Sequence, residues 1–136
     1  GYRIDYRGRS VVISGDSIVT ANTRRIASKV DLLLHDALSL PLIEATKKAA
    51  TVAGLTRAAK IASDVMDYHA STDSLIDLGA DIDAGIVAFY HLVPAPANTI
   101  TSKIFERNLP ENFLVANDGD WFELPSDSAR IIHTSD

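Results

Sequence analysis

Apolar and polar positions divide the chain into short alternating or wholly apolar runs and longer helical ones. Tyr2–Tyr6 (YRIDY) alternates, the pattern of a half-buried strand. Arg7–Ser10 follows as a tight connection, and Val11–Ser14 reads as a second, more buried strand, so the chain opens with a hairpin. A short helix is expected over residues 20–28, capped by Thr20 or Asn22. Val30–His35 (VDLLLH) is another buried strand that runs into the polar pair His35-Asp36. Beyond Pro41 an alanine-rich stretch reaches Tyr68, strong in helix formers and split in two at Gly54.

Ser71 or Thr72 caps a further helix with Leu75, Ile76 and Leu78 facing inward. Ile86–Tyr90 is the next buried strand. It is expected to end at His91, since Pro94 and Pro96 cannot extend a ladder. A helix over residues 100–108 should turn Ile104 and Phe105 inward. Phe113–Ala116 and Trp121–Leu124, joined by Asn117-Asp-Gly-Asp120, have the form of a hairpin with an Asp-Gly turn. Residues 126–136 carry Ile131 and Ile132 but no periodic pattern, and are read as a tail. Strands alternating with helices imply an α/β fold, a mixed sheet with helices packed on it.

Bulk properties narrow the function classes. At 136 residues there is material for one core. The net charge of −5, with both signs interspersed and no basic patch, makes nucleic acid an unexpected partner. With no cysteine there are no disulfides and no thiolate metal site, which fits a reducing, cytoplasmic setting. No apolar run approaches the ~20 residues that cross a bilayer, so no membrane association is expected. The opening residues lack the pattern of a secretory leader.

The candidate chemistry sits where elements end. Asp16, His35-Asp36 and His91 each follow a strand, and His69 follows the long helical stretch. In an open α/β sheet the carboxyl ends of the strands share one rim, where ligands bind. Histidine and aspartate on one rim are suitable ligands for zinc, manganese or iron. Taken singly, each is more often a turn residue, a partly exposed imidazole or a helix-end residue than a ligand; the conjunction carries the candidate site. His133 is read as a surface residue.

Four motifs in order carry a resemblance: Ser14–Ser17 (SGDS), Val30–Ala37 (VDLLLHDA), Tyr68–Ser71 (YHAS) and Phe89–Pro94 (FYHLVP). With the closing Val115–Pro125 (VANDGDWFELP), they resemble the C-terminal half of metallo-β-lactamase-fold hydrolases, in the branch that holds ribonuclease Z, arylsulfatases and phosphodiesterases. The resemblance spans residues 2–125. It implies one half of an αββα sandwich, with one apolar sheet face left uncovered. It also implies that Asp16 is a metal-bridging carboxylate and His91 a ligand of the second metal, commonly zinc. Asp36 stands where that branch has the Glu of an HEA motif, and His69 where it has a proton-handling histidine; His35, beside Asp36, is grouped with them as catalytic.

The family's His-x-His-x-Asp-His run, which belongs to its N-terminal half, does not occur in this chain. The expectation is therefore a partial metal-dependent hydrolase of a phosphodiester or related small ester, inactive by itself, whose partner is a complementary N-terminal half. The alternative is a free-standing half-domain that covers its sheet by self-association and serves as an interaction or small-molecule-binding module. A third arrangement has two copies pairing their rims into a new metal site.

Overall fold

The computed structural model describes residues 1–135, and Asp136, the last residue of the expected tail, lies outside them. β1 (Tyr2–Tyr6) and β2 (Arg9–Ile13) form the expected hairpin, with Tyr2 opposite Ile13 and Tyr6 opposite Arg9. Arg7 and Gly8 make its two-residue turn, both at positive φ, as the right-handed twist of paired strands requires. α1 (Ala21–Ala27) starts at Thr20, whose hydroxyl accepts from the Thr23 N–H while the Thr23 hydroxyl accepts from the Thr20 N–H. β3 (Leu32–Leu38) follows, then α2 (Leu40–Val52) and α3 (Thr56–Asp64), separated at Gly54 with φ +71°. A 3-10 turn at Val65–Asp67 leads to α4 (Thr72–Ile82), capped by Ser71. β4 (Ile86–Val93), α5 (Thr99–Phe105), β5 (Phe113–Val115), β6 (Trp121–Glu123) and β7 (Ile132–Thr134) complete the order.

Five strands form one sheet in the order β1-β2-β3-β4-β5, with β1 antiparallel and the others parallel, so the sheet is mixed. Direct pairing places Val12, Leu33, Val87 and Phe113 on one face. There they join Ala27 of α1, Leu75, Leu78 and Ile82 of α4, and Phe105 of α5 in the main buried cluster. Gly79 lets α4 approach this face, since a Cβ there would lie 2.3 Å from the Phe113 ring. A second buried cluster of Leu38, Ile43 and Ala62 seats the α2–α3 pair beyond the end of β3.

The other sheet face carries Val11, Ile13, Leu34, Ala88 and Leu114, and none of these belongs to either cluster. Across β1 it continues into Tyr2, Ile4 and Tyr6, which are 53–77 % exposed. Helices thus cover one face; on the other Leu32 and Ala88 are buried, and the exposed apolar side chains are those of β1.

Four expectations need correction. β3 does not stop at His35: it runs through Asp36 to Leu38, because the imidazole and carboxylate satisfy each other inside the strand. β4 likewise passes His91 and ends at Val93, just before Pro94. The expected hairpin of residues 113–124 does not form. β5 pairs in parallel with β4, and β6 pairs with β7 in a separate two-stranded sheet. The Asp120 carboxylate ties down the intervening turn, accepting from the Asn117 N–H at 2.9 Å, and also meets His133 Nε2 at 2.9 Å. Phe122 stacks on the His133 ring, so this histidine belongs to the small sheet, and the segment read as a tail contains a strand. The tail is latched as well: the buried Arg9 guanidinium donates to the carbonyls of Pro125, Ser128 and Arg130.

Candidate metal and acid–base centre

Gly15, at φ +64°, turns the chain out of β2, and the next residue is Asp16 on the carboxyl rim. His91 reaches the same rim by a different device. In the β3–β4 ladder Asp36 lies opposite Tyr90 and Ala37 opposite Leu92, so His91 is the extra residue of a bulge. Its φ of +45° is a left-handed conformation that side chains other than glycine seldom adopt, and it lifts the imidazole out of the pleat. His91 Nε2 lies 3.7 Å from Asp16 Oδ2, and both side chains are about half exposed.

His69 arrives from the helical side. The Leu38 N–H donates to the Ala70 carbonyl at 2.7 Å, and Leu38 bridges Ser71, so residues 69–71 lie alongside the end of β3. The His69 and His91 rings are 5.4 Å apart. One ligand atom each from Asp16, His69 and His91 falls within 4.8 Å of the others. Three residues spread over positions 16 to 91 of the sequence therefore meet at one point.

Behind them lies Asp36, with no exposed surface. His69 Nδ1 approaches its Oδ2 at 2.7 Å; since a carboxylate accepts, the proton sits on Nδ1 and Nε2 is left for the rim. His35 Nδ1 lies 3.0 Å from Asp36 Oδ1 and 2.9 Å from the Asp36 carbonyl, which fixes the proton on that Nδ1 too. The N–H groups of Ser17 and Ala70 donate to the same carboxylate at 3.2 and 3.3 Å. Burial by itself would raise the Asp36 carboxyl. The bonds from His35, His69 and Ser17 outweigh it and hold the group below the usual carboxylate range.

Four of the five singled-out residues are thus linked, Asp36 through His69 to Asp16 and His91. His35 stands apart: it is fully buried among the described residues, touches Asp36, and its Nε2 has no partner. Its place is behind the carboxylate, away from the rim. The bulge at His91 could not be read from the chain, because a one-residue insertion leaves no trace in an apolar run that continues through it.

The donor set suits a divalent transition ion. Two imidazoles and a carboxylate are the ligands that zinc, manganese or iron sites use. A histidine whose second nitrogen is held by a carboxylate is the usual support for such a ligand. Beside His91 opens a cleft of about 710 Å³, walled by Pro96, Asn98, Ser102, Asn117 and Asp118, with no lysine or arginine in its lining.

No family model matches the sequence. Among curated proteins, the chain is 28% identical over 95 residues to a ribonuclease Z of Mycobacterium avium (strain 104), an overlap of 70% of this chain and 30% of that protein. It is 28% identical over 94 residues to a ribonuclease Z of Mycolicibacterium gilvum (strain PYR-GCK), and 27% identical over 95 residues to one of Mycolicibacterium paratuberculosis. The chain therefore matches less than a third of the length of these relatives. They bear out the ribonuclease Z part of the expected resemblance, and the mixed α/β sheet with helices on one face is consistent with half of a metallo-β-lactamase-like fold. No helix of the described residues is long and apolar enough to cross a membrane.

Proposed function

We propose that the chain supplies the carboxyl-terminal rim of a metal-dependent phosphodiester hydrolase, and that a complementary half carrying further ligands completes the site. The observation that carries this reading is the convergence of Asp16, His69 and His91 in front of the buried Asp36 carboxylate. The relatives named ribonuclease Z support it and make RNA the phosphodiester to test. Asp16 and His91 would hold metal, zinc before manganese or iron. Bound there, a divalent ion would act as a Lewis acid on the phosphate oxygens.

The residues of this chain would do the rest. A proton carried at His69 Nε2 faces the rim, where the leaving oxygen of an ester can take it. Asp36 orients that ring through Nδ1 and balances its charge while the proton is held. His35 is a positioning residue, since it reaches the site only through Asp36. The cleft beside His91, whose lining has no lysine or arginine to hold a second phosphate, would receive the neutral portion of the ester. The absence of cysteine agrees with a cytoplasmic setting as part of the same reading.

The test is complementation. The chain alone is expected not to hydrolyse bis(p-nitrophenyl) phosphate or a short single-stranded RNA. Co-expression with the histidine-rich N-terminal segment of one of the relatives should restore zinc-dependent hydrolysis, and His69→Ala should abolish it. Absence of hydrolysis in a complex that assembles and binds zinc would refute the reading. The second reading, a self-associating module, is favoured by the open apolar face with Tyr2, Ile4 and Tyr6 exposed. It requires a stable dimer by light scattering, dissociated by Ile4→Lys; a monomer at high concentration counts against it.

A further inference from the structure

The rim has a cavity on each side, and the two share no residue. The cleft beside His91 lies toward α5. The other cavity, of about 290 Å³, lies between the loop after β2, the end of β3 and the start of α4, and His69 lines it. We propose that this second cavity seats the leaving alcohol of the ester and selects an uncharged, apolar group of about one ring. The proposal rests on the reading of His69 as proton donor and names the group that receives its proton.

Adjacency sets the direction of the substrate. Water forms the new P–O bond and releases a proton to solvent. The old P–O bond breaks, and the alcohol oxygen leaves with its electron pair and takes the proton from His69 Nε2. That oxygen therefore stands at His69, and the group it carries runs either along the rim or into the cavity that His69 lines. The rim side is occupied by the phosphate at Asp16 and His91, so the second path remains. The cleft beside His91 then takes the portion of the ester that stays on phosphorus.

The lining decides the class of alcohol. Its walls are Ile18, Val19, Leu38, Leu40 and Met66. Leu38 and Ala70 are buried and make a fixed floor, and Leu40 and Met66 pack against the Leu38 cluster. Ile18 packs in neither buried cluster and is 45 % exposed two residues beyond Asp16, an apolar lip without a partner in the core. The two hydroxyls present are committed to the start of α4: Ser74 donates to the Ser71 carbonyl at 2.8 Å, and Ser71 accepts from the Ser74 N–H at 3.2 Å. Among the described residues, the lining holds no charged side chain besides the His69 imidazole, so a second phosphate on the leaving group would go unpaired. The volume lies at the lower end of the ~300–1,000 Å³ of small-molecule sites, which suits one ring rather than a polynucleotide.

The experiment uses the chain alone, with phenol as the probe because it is uncharged at neutral pH. Met66 is the single methionine, so its ¹³C-labelled methyl reports from the cavity wall as one signal. Phenol should shift that methyl and the ¹⁵N resonance of His69 Nε2 with one shared Kd. Glycerol, an uncharged polar alcohol, should shift neither. Ile18→Asp, which sets a carboxylate on the exposed lip, should weaken phenol binding roughly tenfold. Leu55→Lys, at the exposed corner between α2 and α3, should bind like the parent chain.

A Met66 methyl that moves while Nε2 stays unshifted places the alcohol away from the proton and overturns the proposal. No saturable Met66 shift, or full affinity in folded Ile18→Asp, overturns it as well. None of these results touches the hydrolase reading, which complementation tests by itself. If the shifts occur but the assembled, zinc-bound complex hydrolyses nothing, the leaving-group role falls together with that reading.

Discussion

Asp36 is the residue on which the fold and the candidate site depend together, and Asp36→Ala measures how much. The side chain has no exposed surface, and its carboxylate faces donors only: two imidazole N–H groups and the N–H groups of Ser17 and Ala70, with the Ser14 hydroxyl further out at 3.4 Å. Alanine leaves those donors without an acceptor in a place closed to bulk water. A buried donor left unpaired costs about 1–3 kcal/mol, so four counted separately would cost ~4–12 kcal/mol. The sum overstates the effect, because the donors share one cavity that a water molecule can enter and the rings can turn. Removing one partner of a buried charged pair costs about 3–5 kcal/mol, and that is the expected loss.

Against the ~7–20 kcal/mol implied by about 0.05–0.15 kcal/mol per residue, this is a large fraction. Asp16→Ala is the control: it removes a carboxylate a few residues from Ser14 and Ser17, but a half-exposed one, and should change stability by no more than about 0.5 kcal/mol. Urea unfolding followed by circular dichroism gives both values, with an unchanged slope showing that the same surface is exposed. A loss below about 1 kcal/mol for Asp36→Ala, or equal losses for both variants, would refute the reasoning.

Two further outcomes follow from the packing and the ion pairs. Gly79→Ala should destabilise by about 1–3 kcal/mol despite alanine's better helix propensity, because the new methyl meets the Phe113 ring at 2.3 Å; Phe113→Leu in the same chain should recover part of the loss. Burial would raise the Asp31 carboxyl, but the Ser10 N–H, the Ser10 hydroxyl and Arg9 at 2.9 Å outweigh it and hold the group below the ordinary carboxylate range. A depressed carboxyl stabilises the fold fully above its unfolded value near pH 4 and loses that contribution as pH falls through the lower folded value. Asp31→Asn should therefore lower stability at neutral pH and flatten the acid limb of the melting-temperature profile below about pH 4. An acid limb as steep as the parent's would show that Asp31 does not supply it.

Much of the fold is legible in the chain because its signals are local. The alternation of Tyr2–Tyr6, the Thr20 and Ser71 caps and the break at Gly54 each act within a few residues, and each stands where expected. The positions of Asp16 after a strand and of His69 after a helical stretch, and the motif order that carries the resemblance, belong to the same class of signal. Where the reading failed, the deciding partner was distant. Phe113–Val115 and Trp121–Glu123 have the composition of a hairpin, yet each found another strand, β4 in one case and residues 132–134 in the other. Cross-strand pairing is decided by which apolar face is buried against what, and a turn sequence alone does not contain that.

The sequence by itself determined most of the segments that become strands and helices, their caps and breaks, and which side chains carry imidazole or carboxylate. Only the tertiary structure decided that His91 sits in a bulge, that His69 is brought beside β3 by the Leu38–Ala70 bond, and that both meet Asp16 in front of Asp36. The reason is physical: caps, turns and periodicity are short-range, whereas a site made from residues 16, 36, 69 and 91 exists only once the sheet has set their distances.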